Sequence, residues 1–206
     1  MTDALTAVLL FGGRPAPRRL RDLPATVVGS DSGAAAAIDA VTESARRVIV
    51  VGSTAELAAV LTRLLKTERL DVEVAHLPGR FGVRRARRGV AQRIPLIRDE
   101  TGTALVGEAR WVPTADADAL EGEGIVDDGV LFDGTVQEVR IEPIATMPGL
   151  RARVVAPKTS RTGWLVGRAA QLGTTGASVL RDGVPMPRPV RRSTFYRHTQ
   201  GWLRVR

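Results

Sequence analysis

Residues 47–65 read RVIVVGSTAELAAVLTRLL, and this stretch decides the fold. Arg47–Val51 has strand character and stops at Gly52-Ser53-Thr54. Beyond it Leu57, Val60, Leu61, Leu64 and Leu65 recur at helical spacing, so they share one face of an amphipathic helix. A short apolar strand running straight into such a helix belongs to a parallel sheet covered on both faces. The flanks repeat the pattern. Ala4–Phe11 is an apolar run ended by Gly12-Gly13 and a Pro/Arg loop. Ala25–Val28 ends in Gly29-Ser30-Asp31-Ser32-Gly33 and leads into helix-forming Ala34–Val41. Asp71–Leu77 alternates as a strand and meets Pro78-Gly79.

From about residue 94 helical periodicity gives way to short alternating runs, from Thr103–Trp111 to Thr194–Arg206. Asp128-Gly129, Asp133-Gly134 and Asp182-Gly183 lie among them, and Asp-Gly between alternating runs signals a hairpin. The expected architecture is a small parallel α/β domain over 1–93 followed by an antiparallel β-sandwich over 94–206. Ala115–Gly124 (ADADALEGEG) reads as a surface loop. The boundary falls in the arginine-crowded segment Gly82–Arg93.

The 206 residues include no cysteine, which excludes disulfide scaffolds, thiol nucleophiles and Cys-ligated metals. Two histidines, His76 and His198, make no histidine metal site, and no metal ligands are expected. Aromatics at 4% weigh against base-stacking folds. The net charge of +8 is unevenly spread. Residues 1–98 carry 16 basic and 9 acidic side chains, residues 99–142 carry 2 and 12, and residues 143–206 carry 12 and 1. Such blocks can neutralise one another, so the charge alone does not imply nucleic acid. Ala4–Phe11 is too short for a span and follows Asp3 with no basic segment, so the expected place is the cytoplasm.

Several motifs taken in this order resemble the diacylglycerol kinase catalytic-domain family of the lipid kinase and NAD kinase-like superfamily. That family follows a central strand with Gly-Gly-Asp-Gly-Thr, where the backbone approaches nucleotide phosphates. Val50-Val51-Gly52-Ser53-Thr54-Ala55-Glu56-Leu57 stands in that context here. Leu77-Pro78-Gly79-Arg80 resembles the family's next loop, Arg181-Asp182-Gly183-Val184 its late hairpin, and Trp202–Arg206 its last strand. The resemblance implies that Gly52, Ser53, Thr54, Pro78 and Gly79 face a nucleotide, and that Asp182 is the acidic group for a lipid hydroxyl. ATP and magnesium are implied only where the kinase site survives. A second register places Gly29–Gly33 at the phosphate motif, keeping its aspartate as Asp31. The Gly-x-Asp-x-Gly spacing there also matches a hydrolase elbow, but its early position and lack of a histidine partner argue against that.

The departures matter chemically. Only Gly52 of the motif remains, and Ser53, Ala55 and Glu56 bring side chains and like charge where phosphate oxygens would come. Phosphoryl transfer depends on positioning and magnesium charge, so these losses should remove most catalysis. The plain alternative at Gly52–Thr54 is a helix N-cap, and at Asp182-Gly183 a two-residue turn. Arg80, Arg84, Arg85, Arg87, Arg88 and Arg93 form a cluster with three readings: a solvated or internally paired segment, a surface for an anionic lipid or protein partner, or nucleic acid. The expectation is a degenerate, non-catalytic lipid-kinase-like binding protein, dimerising through its β domain and peripheral to the inner membrane where the cluster meets lipid. Below it rank an active ATP-dependent lipid kinase with altered motifs and an arginine-rich nucleic-acid binder.

Overall fold

The computed structural model describes residues 6–29, 33–79, 81–155 and 163–206. The chain begins with β1 (Thr6–Phe11), β2 (Ala25–Val28), α1 (Ala34–Ser44), β3 (Arg47–Val51), α2 (Thr54–Lys66), β4 (Glu73–Leu77), α3 (Val83–Arg88) and β5 (Ala91–Ile94). Then come β6 (Ile97–Asp99), β7 (Ala104–Leu105), β8 (Ala109–Val112), β9 (Leu120–Val126), β10 (Gly129–Val136), β11 (Val139–Pro143) and β12 (Leu150–Val154). The last strands are β13 (Leu165–Gly167), β14 (Ala169–Arg181), β15 (Val184–Pro185), β16 (Val190–Arg197) and β17 (Trp202–Val205). The chain divides into two compact units, residues 1–94 with 200–206, and residues 95–199.

The first unit is a six-stranded sheet in the order β2-β1-β3-β4-β17-β5, parallel except for β5. Its inner strands β1 and β3 are apolar on both faces because both faces are covered. Val8, Leu10, Ile49, Val51, Ala75 and Leu77 pack on one side with Leu20, from a short turn at Arg18–Leu20, and Ala86 of α3. The alternate residues Leu9, Val48, Val50 and Val74 are equally buried, as are Ile38 of α1 and Leu57, Val60, Leu61 and Leu64 of α2. Each of those α2 leucines contributes about 1.5–3 kcal/mol by leaving water.

One expectation fails at the C-terminus. Read from sequence, 94–206 forms the sandwich and Thr194–Arg206 is one run; instead β16 stops at Arg197 and Trp202–Val205 inserts between β4 and β5 in the first unit. Gly201 allows the return, since a Cβ there would lie 2.2 Å from the carbonyl oxygen of Ile94. Trp202 and Val205, three residues apart and so on opposite faces of β17, are both buried in the first unit.

The second unit is antiparallel throughout its eleven strands. Its long strand β14 shifts register between Gly173 and Ala177. The first half pairs with β16 and β9, the second with β8 and β15, which bends one ladder into the two layers of a sandwich. Trp111 and Phe195 fill the space between, ring centroids 6.2 Å apart, and the Trp111 indole N–H donates to Ser193 Oγ at 3.0 Å. Two turn readings change. Asp133-Gly134 lies inside β10, opposite Glu123 and Gly122, and is no turn. Leu120–Gly124, read as loop, is strand β9.

Candidate functional site

Neighbouring strands β1 and β3 continue in opposite directions, β1 toward β2 and β3 toward β4. In open α/β sheets the crevice beyond the carboxyl ends of such a pair is where ligands sit. Here it is bounded by Gly12-Gly13 after β1 and Gly52-Ser53-Thr54 after β3. Gly12 and Gly13 both adopt left-handed φ, +61° and +67°, which turns the chain away sharply. The amide of Gly52 donates to Leu77 O at 3.2 Å, drawing the Pro78-Gly79 loop beside it. The structure thus places side by side two loops singled out from the sequence, Gly52–Thr54 and Pro78–Gly79. The Gly29–Gly33 alternative follows the edge strand β2, away from this crevice, and Ser30, Asp31 and Ser32 lie outside the described residues.

The Glu56 side chain lies at this crevice, its carboxylate between Gly12 and Gly52. Ser53 is the N-cap of α2, and Glu56 completes a capping box: the Glu56 amide donates to Ser53 Oγ at 3.3 Å, and the Ser53 amide to Glu56 Oε2 at 2.5 Å. The carboxylate sits so close to Gly52 that a Cβ there would lie 2.5 Å from Oε2, while a Cβ on Gly12 would lie 3.6 Å from Oε1. An internal anion thus holds the positive end of α2, between the two glycine loops, where an external phosphate would come.

His76, on β4, supports the same loop: its Nε2 bonds to Gly52 O at 3.0 Å. Burial pushes its pKa below the ordinary imidazole value, against the pull of the Gly52 and Ser53 backbone, with Arg204 and Arg14 lowering it further. The folded chain therefore prefers neutral His76 donating to that carbonyl. With the folded pKa below the unfolded one of about 6.5, unfolding takes up protons, so stability falls as pH drops from about 6.5 toward the folded value. Thermal melts of the native chain should show this loss, and His76→Gln, a neutral donor, should flatten it. An unchanged pH profile in the variant would remove His76 from the account.

Beside the crevice, on the side of the Arg18–Leu20 turn and α3, lies a groove of about 860 Å³. Arg14, Arg18, Arg19, Arg21 and Arg84 line it, with the ring of Phe81 and the Pro78-Gly79 backbone. Arg14 donates to Pro78 O at 2.9 Å, pinning one loop to the other. Arg87 and Arg93, counted in the sequence cluster, are engaged in the fold. Arg87 holds Asp22 at 2.5 Å and Arg19 O at 3.0 Å, keeping the Asp22 carboxyl below the ordinary carboxylate value. Arg93 donates to Leu70 O and Gly201 O. Arg84, Arg85 and Arg88 are exposed; Arg80 lies outside the described residues. Arg14, Arg18, Arg19 and Arg21 escaped the sequence reading because they are some sixty residues from α3 in the chain and meet it only through the strand order.

Asp182, in the second unit, stands apart from these loops in role. With Gly183 it makes the left-handed two-residue turn between β14 and β15, φ +49° and +82°. Its carboxylate accepts the amides of Val106, Gly107 and Glu108 at 3.1, 2.5 and 3.2 Å. Burial pushes its carboxyl above the usual value, over the opposing pull of those three N–H groups.

No family model matches the chain, and no curated protein does. Solved structures do. A putative diacylglycerol kinase from Bacillus anthracis superposes with a TM-score of 0.72 at 9% identity, covering 100% of this chain and 98% of that one. An NAD kinase from Archaeoglobus fulgidus, determined in complex with ATP, gives 0.66 at 10% identity, covering 98% and 93%. A yeast NADH kinase complexed with NADH gives 0.65 at 8%, covering 99% and 84%. The chain therefore has the lipid kinase and NAD kinase-like fold, a parallel α/β unit and an antiparallel sandwich.

Proposed function

We propose that this chain is a catalytically silent protein of the lipid kinase and NAD kinase-like fold, which acts by binding an anionic ligand in the arginine-lined groove beside its former phosphate loop. One observation carries the silence: the Glu56 carboxylate occupies the end of α2 between Gly12 and Gly52. A nucleotide phosphate brought there would meet a fixed negative charge in place of free N–H groups, and the residues present do not fit ATP with its magnesium. The arginines support the binding half of the reading. A guanidinium offers a planar fork of donors matched to phosphate or carboxylate oxygens. Arg14, Arg18, Arg19, Arg21 and Arg84 present such forks around one groove.

Thermal-shift titration of the chain with ATP and magnesium tests the silence. The expected melting temperature is flat, because a ligand that does not bind the folded state cannot stabilise it. Glu56→Ala, which removes the internal anion, should lower stability by about 1 kcal/mol through the lost cap. It should also add a stabilising response to inorganic phosphate beyond any that the arginine groove gives the native chain. A rise of several degrees with ATP in the native chain, or phosphate transfer to diacylglycerol, would overturn the reading.

A further inference from the structure

Three adjoining depressions share the residues of α3. The groove shares Arg19, Val83 and Arg84 with a second hollow that adds Arg88, and Phe81, Gly82 and Arg84 with a third that adds Arg85. They make one continuous face carrying seven exposed arginines: Arg14, Arg18, Arg19, Arg21, Arg84, Arg85 and Arg88. Among the described residues its one acidic lining residue is Asp22, already held by Arg87. Among the described residues, no ion pair engages Arg18, Arg19, Arg21, Arg84, Arg85 or Arg88. The contrast with the second unit is sharp, where Arg110, Arg140 and Arg151 pair with Glu108, Glu138 and Glu142. On this face, among the described residues, no carboxylate pairs with those six arginines.

Within the face stands Phe81, 92% exposed. It is the single aromatic among the exposed large hydrophobic residues described. An apolar ring ringed by cations fits a surface that is anionic outside and apolar beneath. A nucleic-acid strand would call for a series of rings on which successive bases stack. The six residues of α3 are also too few to lie along a major groove. We propose that the chain docks on an anionic bilayer through the arginine face around α3, with the Phe81 ring entering the headgroup layer. This goes beyond the reading above and does not depend on whether catalysis survives.

Flotation of the full chain with phosphatidylcholine vesicles, with and without phosphatidylglycerol, tests the docking. Binding should need the anionic lipid and fall as salt rises, since screening shortens the reach of exposed charges. Each arginine near the surface is worth about fivefold in partition, so Arg84→Gln with Arg88→Gln should weaken binding about 25-fold and lower its salt dependence. Phe81→Ser should weaken it about tenfold or more with the salt dependence unchanged, because the lost contribution is apolar. All three side chains are exposed, so melting temperatures should hold; Arg18→Gln with Arg21→Gln, on the other loop, gives an independent reading. Equal binding to neutral vesicles, native affinity in the variants, or tighter binding to a DNA oligonucleotide would each overturn the proposal. An ATP response would leave it standing and sink only the claim of silence.

Discussion

Arg47→Ala should lower the unfolding free energy by about 2–3 kcal/mol, somewhat below the about 3–5 kcal/mol for a fully buried ion pair, because the two side chains stay 14% and 19% exposed. The guanidinium is nearly enclosed and serves two elements at once. Nε donates to Glu73 Oε2 at 2.7 Å and Nη2 approaches the same oxygen at 2.6 Å, across the β3–β4 register that sets Arg47 opposite Glu73. On its other side Nη1 donates to Arg87 O at 2.8 Å and Nη2 to Gly89 O at 2.9 Å. A six-residue helix has too few internal bonds to stand alone, and its last carbonyls need donors. Arg47 supplies them, as a cation placed at the negative end.

Removal of the side chain leaves a partly buried carboxylate and two carbonyls without this donor. Glu73→Gln should cost less, about 1–2 kcal/mol, because the guanidinium keeps its carbonyl partners and an amide oxygen still accepts. Combined with Glu73→Leu, the arginine deletion should cost clearly less than the sum of the singles, since no carboxylate is then stranded. Urea melts of the native chain, Arg47→Ala, Glu73→Gln, Glu73→Leu and the double variant decide it. Strict additivity, or a loss under 1 kcal/mol for Arg47→Ala, would remove the argument. The consequence for function follows from geometry. Arg84, Arg85 and Arg88 ride on the helix whose end Arg47 holds, so its loss should also blur the arginine face.

How much of this was legible from sequence depends on the range of the interaction. The strand-loop-helix unit at Arg47–Leu65 is local, since helical spacing and an N-cap sit within twenty residues, and it emerged as read. The Asp182-Gly183 hairpin is equally local. By contrast, β9 looked like loop because Gly122 and Gly124 are poor strand formers. They are needed for close approach instead: a Cβ at Gly122 would lie 2.1 Å from Gly173 O, and one at Gly124 2.4 Å from the Phe132 ring. Nothing local reveals either neighbour. Glu56 shows the same limit at the candidate site. Its position three residues after Ser53 is a capping-box spacing that sequence does display. That its carboxylate also lies against Gly12 comes from the order of β1 and β3 in the sheet. The arginine face, divided between residues 14–21 and 84–88, has no signature along the chain at all.

Asp182 separates a structural carboxylate from a catalytic one by the order of its variants. A raised carboxyl pKa is what a general base near neutrality uses, so the shift taken alone favours catalysis. Its cause and the direction of the side chain argue otherwise: burial raises it, and both oxygens are turned onto the backbone of residues 106–108. Asp182→Asn keeps an oxygen for Gly107 and Glu108, loses the acceptor for Val106, and tolerates the left-handed backbone, so about 1 kcal/mol should go. Asp182→Gly loses all three acceptor contacts without strain, for about 2 kcal/mol. Asp182→Ala loses them and forces a Cβ into φ +49°, for about 3 kcal/mol in all. The expected ranking in urea melts is therefore Asn, Gly, Ala, from mildest to worst. A catalytic base would follow a different rule, with Asn as inactive as Ala and neither variant much less stable than the native chain. Equal melting of all four proteins, together with phosphate transfer lost in every variant, would return Asp182 to the chemistry and the chain to the enzymes.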